Sequence, residues 1–315
     1  MFAILGSGFG LYGYMPALIE GCGQQVALPE RYRSQFLQRP QLARFWGKIQ
    51  WMADENAALD VSEGIVLALT PATQEEWLPR CLAHPGVKHL FLEKPLGHSP
   101  EIAIKLLDTL LCSKKSFRIG YSFRHTLWGK RLLEILTSKH ASCSFSIRWT
   151  LMAHHFQNDL KNWKRSHSTG GGVVRFYGIQ VIALMAEAGY EDVSLSQTFA
   201  AKPDDIEQWT VIFNGNGLPE CRVLIDIRAA KNKFLIEQNC GGNTTVLVDL
   251  KDPFDPEIDA DKPDGNDRRV PVLNRLCRSL YEENTTPYGW YRATNDLWHL
   301  IEKKTGLEIP KGACR

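Results

Sequence analysis

The stretch "FAILGSGFG" at residues 2–10 constrains the fold of this chain more than any other. An apolar run of strand character ends in glycines, and "LYGYMPALIEG" then continues with helical spacing at Leu11, Met15 and Leu18. A strand, a glycine turn and a helix in this order aim backbone N–H groups and a helix N-terminus at one point, which suits a phosphate. Gly6 permits the tight turn and Gly8 lets the backbone approach a diphosphate, with Phe9 and Gly10 completing the turn. In the pattern G-x-G-x-x-G the third glycine is replaced by Leu11, with Gly10 one residue earlier. The turn alone is therefore weak evidence, and its context decides.

That context is an alternation of strands and helices. "QQVAL" ends at Pro29-Glu30, where an acid would hold the adenosine ribose hydroxyls. Glu30 favours NAD, while Arg31 and Arg33 beside it suit the 2′-phosphate of NADP, so both remain open with NAD slightly ahead. "EGIVLALTP" is almost wholly apolar, as a strand buried on both faces requires, and runs into "TPATQ". "VKHLFLEKPLG" ends in Glu93-Lys94-Pro95, "SPEIAIKLLDTLLCSKK" reads as a helix capped by Ser99 with Pro100 in its first turn, and "SFRIGYSFR" is a further strand. The alternation predicts a parallel, doubly wound α/β sheet, whose ligands bind at the carboxyl ends of the strands. Gly6, Gly8, Glu30, Thr70, Pro71, Gln74, Glu93 and Lys94 all fall on that edge.

The second half changes character. "CSFSIRWTL", "DVSLSQTFA", "QWTVIF", "CRVLIDIR", "KFLIEQN" and "TTVLVDL" are strand-like, several joined by Gly/Asn turns, and one helix from Val173 to Ala188 interrupts them after three glycines. The predicted organisation is a nucleotide-binding domain over 1–120 and an α+β domain over 121–315 with a large, mostly antiparallel open sheet. A C-terminal helix is free to pack back on the first domain. A sheet with one helical layer leaves a face, expected to be apolar from "RVLIDIR" and "FLIEQN", and so predicts a homodimer or homotetramer through it.

Composition excludes other classes. The net charge of +2 gives no electrostatic case for nucleic acid or membrane surfaces. No run approaches the roughly eighteen consecutive apolar residues of a membrane span. The start "MFAILGSG" enters a strand at once, which leaves no room for a signal peptide. Eight cysteines lie scattered with no C-x-x-C, which predicts reduced thiols, a cytoplasmic setting, no disulfide framework and no metal site.

The ordered set "GSGFG", "TPATQ", "EKPLG", "GYSFRH", "GGGVVRFYGIQ" and the closing "GLEIP" resembles the Gfo/Idh/MocA oxidoreductases, over essentially the whole chain. The resemblance implies a Rossmann domain (1–120) followed by a sheet domain that often forms an oligomer interface. It also implies hydride transfer between NAD(P) and a carbon of a sugar, cyclitol or sugar nucleotide. The family's E-K-P lysine, beside the nicotinamide, corresponds to Lys94 as proton donor. Its location supports this independently, since desolvation at the end of a buried strand eases proton release from an ammonium.

The family's usual Asp and His, four apart on the helix after the glycines, fall at Phe176 and Gln180. Neither can shuttle a proton. Tyr121, His155 and Tyr177 are candidate catalytic partners of Lys94, with His167 a further histidine of the same stretch. Phe176, Gln180, Trp163 and Arg124 are candidate substrate contacts. A reductase needs only one acid to protonate the oxygen, so reduction suits this set better than alcohol oxidation. The alternatives are an imine or tetrapyrrole reductase on the same fold, or a silent nucleotide-binding sensor or scaffold. No nucleic acid or membrane partner is expected.

Overall fold

The structure, a computed structural model, describes residues 1–138, 143–255, 266–282 and 288–308. The chain divides into two units. The first comprises Met1–Leu96, Lys105–His125 and, among described residues, 266–282; the second comprises Gly97–Ile104, Thr126–Asp255 and 288–308. This differs from the expected division at 120. Residues 97–104 belong with the second unit, and a late segment returns to the first.

The first unit is built on six parallel strands: β1 (Phe2–Leu5), β2 (Val26–Pro29), β3 (Ile49–Met52), β4 (Gly64–Leu67), β5 (His89–Leu92) and β6 (Ser116–Ile119). Their order is β3-β2-β1-β4-β5-β6. Sequence reading identifies five of them. β3 escapes it because "IQWM" is an edge strand with partly exposed side chains and no apolar run. The order reverses between β1 and β4, and such switch points are where doubly wound sheets bind ligands. After the glycine turn the chain forms two wide helical turns, Gly10–Tyr14 and Ala17–Gly21, separated by Pro16. The helix Val270–Arg278 buries Val270, Leu273, Leu276 and Cys277 in the same cluster as Leu11, Met15 and Leu18.

The second unit holds a seven-stranded sheet: β7 (Cys143–Met152), β8 (Asp192–Lys202), β9 (Asp205–Asn214), β10 (Glu220–Asp226), β11 (Arg228–Cys240), β12 (Asn243–Leu250) and β13 (Gly306–Glu308). The order is β12-β11-β7-β10-β9-β8-β13, antiparallel except for the pairs β7/β10 and β8/β13. The helix expected from Val173 starts there as a wide-turned segment, Val173–Gly178, and becomes a regular helix at Ile179–Ala188. Nearly every residue of the latter is buried, so its all-round apolar character is that of a core helix. The stretch His167–Ala188 is long and apolar enough to cross a membrane by composition although it holds no unbroken apolar run of that length, yet 78% of its apolar 18-residue window is buried within the protein. The C-terminal helix, Tyr288–Lys304, belongs to the second unit rather than the first.

Two further expectations are corrected. Strand alternation turns Val223, Ile225, Phe234 and Ile236 into the core. The open face carries Thr210, Leu224, Arg148 and Leu235 in register across β9, β10, β7 and β11, a mixed stripe and not an apolar one. The cysteines are not all reduced. Cys143 and Cys240 face each other across β7 and β11 with Cα atoms 4.4 Å apart and are disulfide-bonded. Ninety-seven residues separate them, so only the sheet register brings them together. The cysteine-based argument for a cytoplasmic setting loses its premise at this pair.

Candidate active site

In the first unit, Gly6 takes φ +132°, and a Cβ there would lie 2.1 Å from the Ala68 carbonyl oxygen just beyond β4. Only glycine fits. A Cβ on Gly8 would meet nothing within 4 Å, so the backbone at Gly8 is open to close approach by another group. Gly10 performs the packing task of the displaced third glycine, since a Cβ there would sit 2.7 Å from Ile4 Cγ2. These glycines fit a diphosphate held at the turn. The Phe9 ring folds onto Gly13 and meets the Tyr12 and Tyr14 rings edge-on. Above it stands Arg269, 4.2 Å from the ring centroid and held by Asp267 through two 2.8 Å hydrogen bonds.

At the end of β2, Glu30 pairs with Arg33 at 2.7 Å, and Arg33 stacks on Trp46 and Trp51. Arg31 pairs with Glu55. Tyr32 accepts from the Gly6 N–H at 3.1 Å and donates to Glu55 at 3.0 Å. Burial first, and the Glu55 charge second, push the Tyr32 phenol up to about 12, so it stays protonated.

Beyond β4, Thr70 caps the helix Pro71–Ala83, accepting from the Thr73 N–H at 3.4 Å, with Pro71 at the first turn. Gln74 is fully buried and clamps the loop after β5. Its amide nitrogen donates to the carbonyls of Glu93 (3.0 Å) and Leu96 (2.9 Å), and its oxygen accepts from the Glu93 N–H at 3.1 Å. Sequence reading assigned Gln74 to the cofactor; its amide is engaged in fixing the loop that carries Lys94. The Lys94–Pro95 peptide is cis. The Glu93 carboxylate lies against the Tyr14 hydroxyl, at a point a Gly120 side chain would otherwise fill. Burial raises its pKa, opposed by Lys94, Tyr14 and Arg269. Tyr121 is buried just past β6, and Arg124 is partly exposed in the turn Phe123–His125.

In the second unit the three glycines serve geometry. Gly170 and Gly172 adopt φ +92° and +71°, and a Cβ on Gly171 would lie 2.1 Å from the Trp163 carbonyl oxygen. They deliver Phe176 and Tyr177 into an aromatic group: Phe176 meets Trp163 (5.3 Å between centroids) and Tyr177 (4.9 Å), and Tyr177 meets Trp149 (5.5 Å) and His155 (6.3 Å). Lys164 stands 5.4 Å from the Phe176 centroid. Gln180 is buried at the start of the regular helix. His155 is 3% exposed, and burial pushes its imidazole down to about 4, aided by Lys164 and Arg165. It is neutral near pH 7 and so a poor acid. His167 is pushed down to about 4 by burial and then by Arg175. Arg175 itself grips Glu302 through two bonds of 2.7 and 2.6 Å and donates to the carbonyls of His98 and His167.

No protein-family model matches the chain, and no curated protein matches it by sequence. Solved structures do match. GenD2 from gentamicin A biosynthesis, in complex with NAD, superposes with a TM-score of 0.71 at 16% identity, covering 96% of this chain and 93% of that one. KijD10, a 3-ketoreductase from Actinomadura kijaniata in complex with NADP and TDP-benzene, gives 0.71 at 13% identity over 98% of both chains. A myo-inositol dehydrogenase from Corynebacterium glutamicum gives 0.67 at 11% identity over 96% of both. The chain shares their fold. It is the fold that the motif resemblance implied.

Sequence reading misses Tyr32, Glu55, Arg269, Arg175 and Glu302. Glu55 follows an ordinary helix cap, Asp54, and Arg269 lies far along the chain from the turn it covers, so neither carries a local signal.

Proposed function

We propose that the protein is an NAD(P)-dependent oxidoreductase acting on a sugar, a sugar nucleotide or a related small molecule, with reduction of a carbonyl as its favoured direction. The observation that carries the proposal is the Gln74 clamp, which fixes the loop bearing Lys94 at the carboxyl edge of the sheet that also presents the glycine turn. When bound, NAD(P) supplies or accepts the hydride. Gly6, Gly8, Phe9 and Gly10 hold the diphosphate, with Thr70, Pro71 and Glu93 along the same edge. Lys94 gives its proton to the substrate oxygen. Phe176, Trp163, Tyr177 and Gln180 bind substrate: the rings cover apolar sugar faces, and the amide of Gln180 orients a hydroxyl without exchanging its proton. Arg124 and Tyr121 are further candidates in the first unit. His155, buried and neutral, serves packing better than proton donation.

Lys94→Ala tests the assignment. Cofactor affinity, read by fluorescence titration, stays within a few-fold, while turnover falls by roughly 10²–10⁴-fold, the usual worth of a positioned acid. Full activity in Lys94→Ala on a true substrate removes the lysine from the mechanism. Binding of reduced cofactor that is then not consumed in the presence of any keto-sugar, sugar nucleotide or cyclic imine supports the silent sensor instead.

A homodimer or homotetramer through the open sheet face belongs to the same proposal. The partly exposed Leu224, between Thr210 and Arg148, and Leu235, on the far side of Arg148, suit an interface of mixed polarity. A monomer by light scattering at micromolar concentration refutes it.

A further inference from the structure

We propose that Glu55, working with Tyr32, reads the adenosine ribose of the cofactor and that Arg31 is the cation it withholds from a 2′-phosphate. The inference rests on the cofactor reading above. In a strand–glycine turn–helix unit the ribose lies beside the first glycine, opposite an acid from the end of the second strand. Glu30 occupies that place in the sequence but not in space, since its half-exposed carboxylate is turned to Arg33. The group that meets Gly6 is the Tyr32 hydroxyl, and behind it stands Glu55 at the start of the helix Glu55–Asp60, with a side chain only 13% exposed.

The bonds to Glu55 from Tyr32 and from Arg31 all fall on Oε1. Oε2 has no hydrogen-bond partner among the described residues, and a ribose hydroxyl is the donor that suits it. A sheltered carboxylate in this place accepts from a 2′-hydroxyl and repels a 2′-phosphate. Arg31 is 68% exposed and stacked 5.0 Å from the Tyr32 ring centroid, so it has the position to meet a 2′-phosphate. It can do so only by leaving Glu55. The paired charges therefore favour NAD(H), and removing the Glu55 charge acts twice in the same direction: it ends the repulsion and frees Arg31.

The test is calorimetric titration of NADH and NADPH, and of the half-ligands 5′-AMP and adenosine 2′,5′-bisphosphate, into the wild-type protein and four variants. The wild type is expected to prefer NADH. Glu55→Gln keeps an oxygen for Tyr32 and shifts the preference toward the phosphorylated ligand of each pair by about tenfold or more. Adding Arg31→Ala to Glu55→Gln removes most of that shift. Glu55→Asp, which keeps the charge, retains the wild-type preference, and Glu30→Gln changes nothing. An unchanged ratio in Glu55→Gln, or a shift that follows Glu30→Gln instead, overturns the assignment while leaving the cofactor reading intact. Failure of the wild type to bind either dinucleotide overturns both.

Discussion

Gln74→Leu substitutes a side chain of similar size and leaves two backbone groups of the β5 loop to find new partners, the Glu93 and Leu96 carbonyls, while the Glu93 N–H keeps its bond to the Leu67 carbonyl at 3.0 Å. Gln74 is 1% exposed, so water does not easily replace the lost bonds. Each buried polar group left unsatisfied costs about 1–3 kcal/mol, and the leucine side chain recovers part of this by apolar burial, which leaves a net loss of about 2–4 kcal/mol. That is a large share of the stability of an ordinary domain. The consequence for Lys94 is separate. A loop displaced by about 1 Å at a reacting group can cost on the order of 10²-fold in rate, whereas the diphosphate binding proposed for Gly8 is expected to be unaffected. The assay is urea denaturation at constant m-value, paired with turnover and cofactor titration. Gln74→Glu sharpens it, because a carboxylate still accepts from the Glu93 N–H but cannot donate to the two carbonyls. Its loss should be at least as large at neutral pH and partly relieved by acid, where the protonated side chain regains one donor. A Gln74→Leu protein within about 1 kcal/mol of the wild type and with unchanged turnover refutes the clamp.

Two other outcomes follow from buried groups and cross-links. His155 and His167 titrate near 4 in the folded protein against an ordinary 6.5, so the unfolded chain binds their protons first. Stability is then lost as pH falls from 6.5 toward 4, by about 2 kcal/mol per histidine at pH 5, and denaturation of His155→Phe at pH 7 and 5 should show a shallower loss; an equal pH 5 penalty in the variant argues against it. The Cys143–Cys240 bond closes a 97-residue separation, so reduction, or Cys143→Ser with Cys240→Ser, should lower stability by about 2–4 kcal/mol. Alkylation of the unfolded, unreduced chain should leave two of its eight cysteines unlabelled, and labelling of all eight contradicts the bond.

What could be read from the sequence was whatever local pattern controls. The glycine turn, the β4 and β5 strands and the E-K-P loop are set by residues within a few positions of one another, and all stand where their spacing put them. The alternating strands of the second unit were equally plain. Partners chosen across the sheet were not. Glu30 and Glu55 are both acids near strand ends, and only the packed geometry shows that one turns to Arg33 while the other stands behind Tyr32. Gln74 read as a ligand-edge residue because its position is one, yet its amide is spent on backbone groups some twenty residues away. The disulfide depends on the register of β7 against β11, which scattered cysteines do not announce.

The return of the helix Val270–Arg278 to the first unit has a consequence for how the protein is made. Leu11, Met15 and Leu18 share a buried cluster with Val270, Leu273, Leu276 and Cys277. Roughly 250 residues of synthesis separate the two sets, on the order of 10–50 s at ordinary elongation rates. Once β6 ends at Ile119 the nascent chain has every strand of the six-stranded sheet, yet it still lacks the helix that covers its first helical turns. The six-stranded half, though it comes first in the sequence, is among the last parts to close, and a product interrupted before Val270 carries an uncovered apolar face that chaperones and proteases recognise.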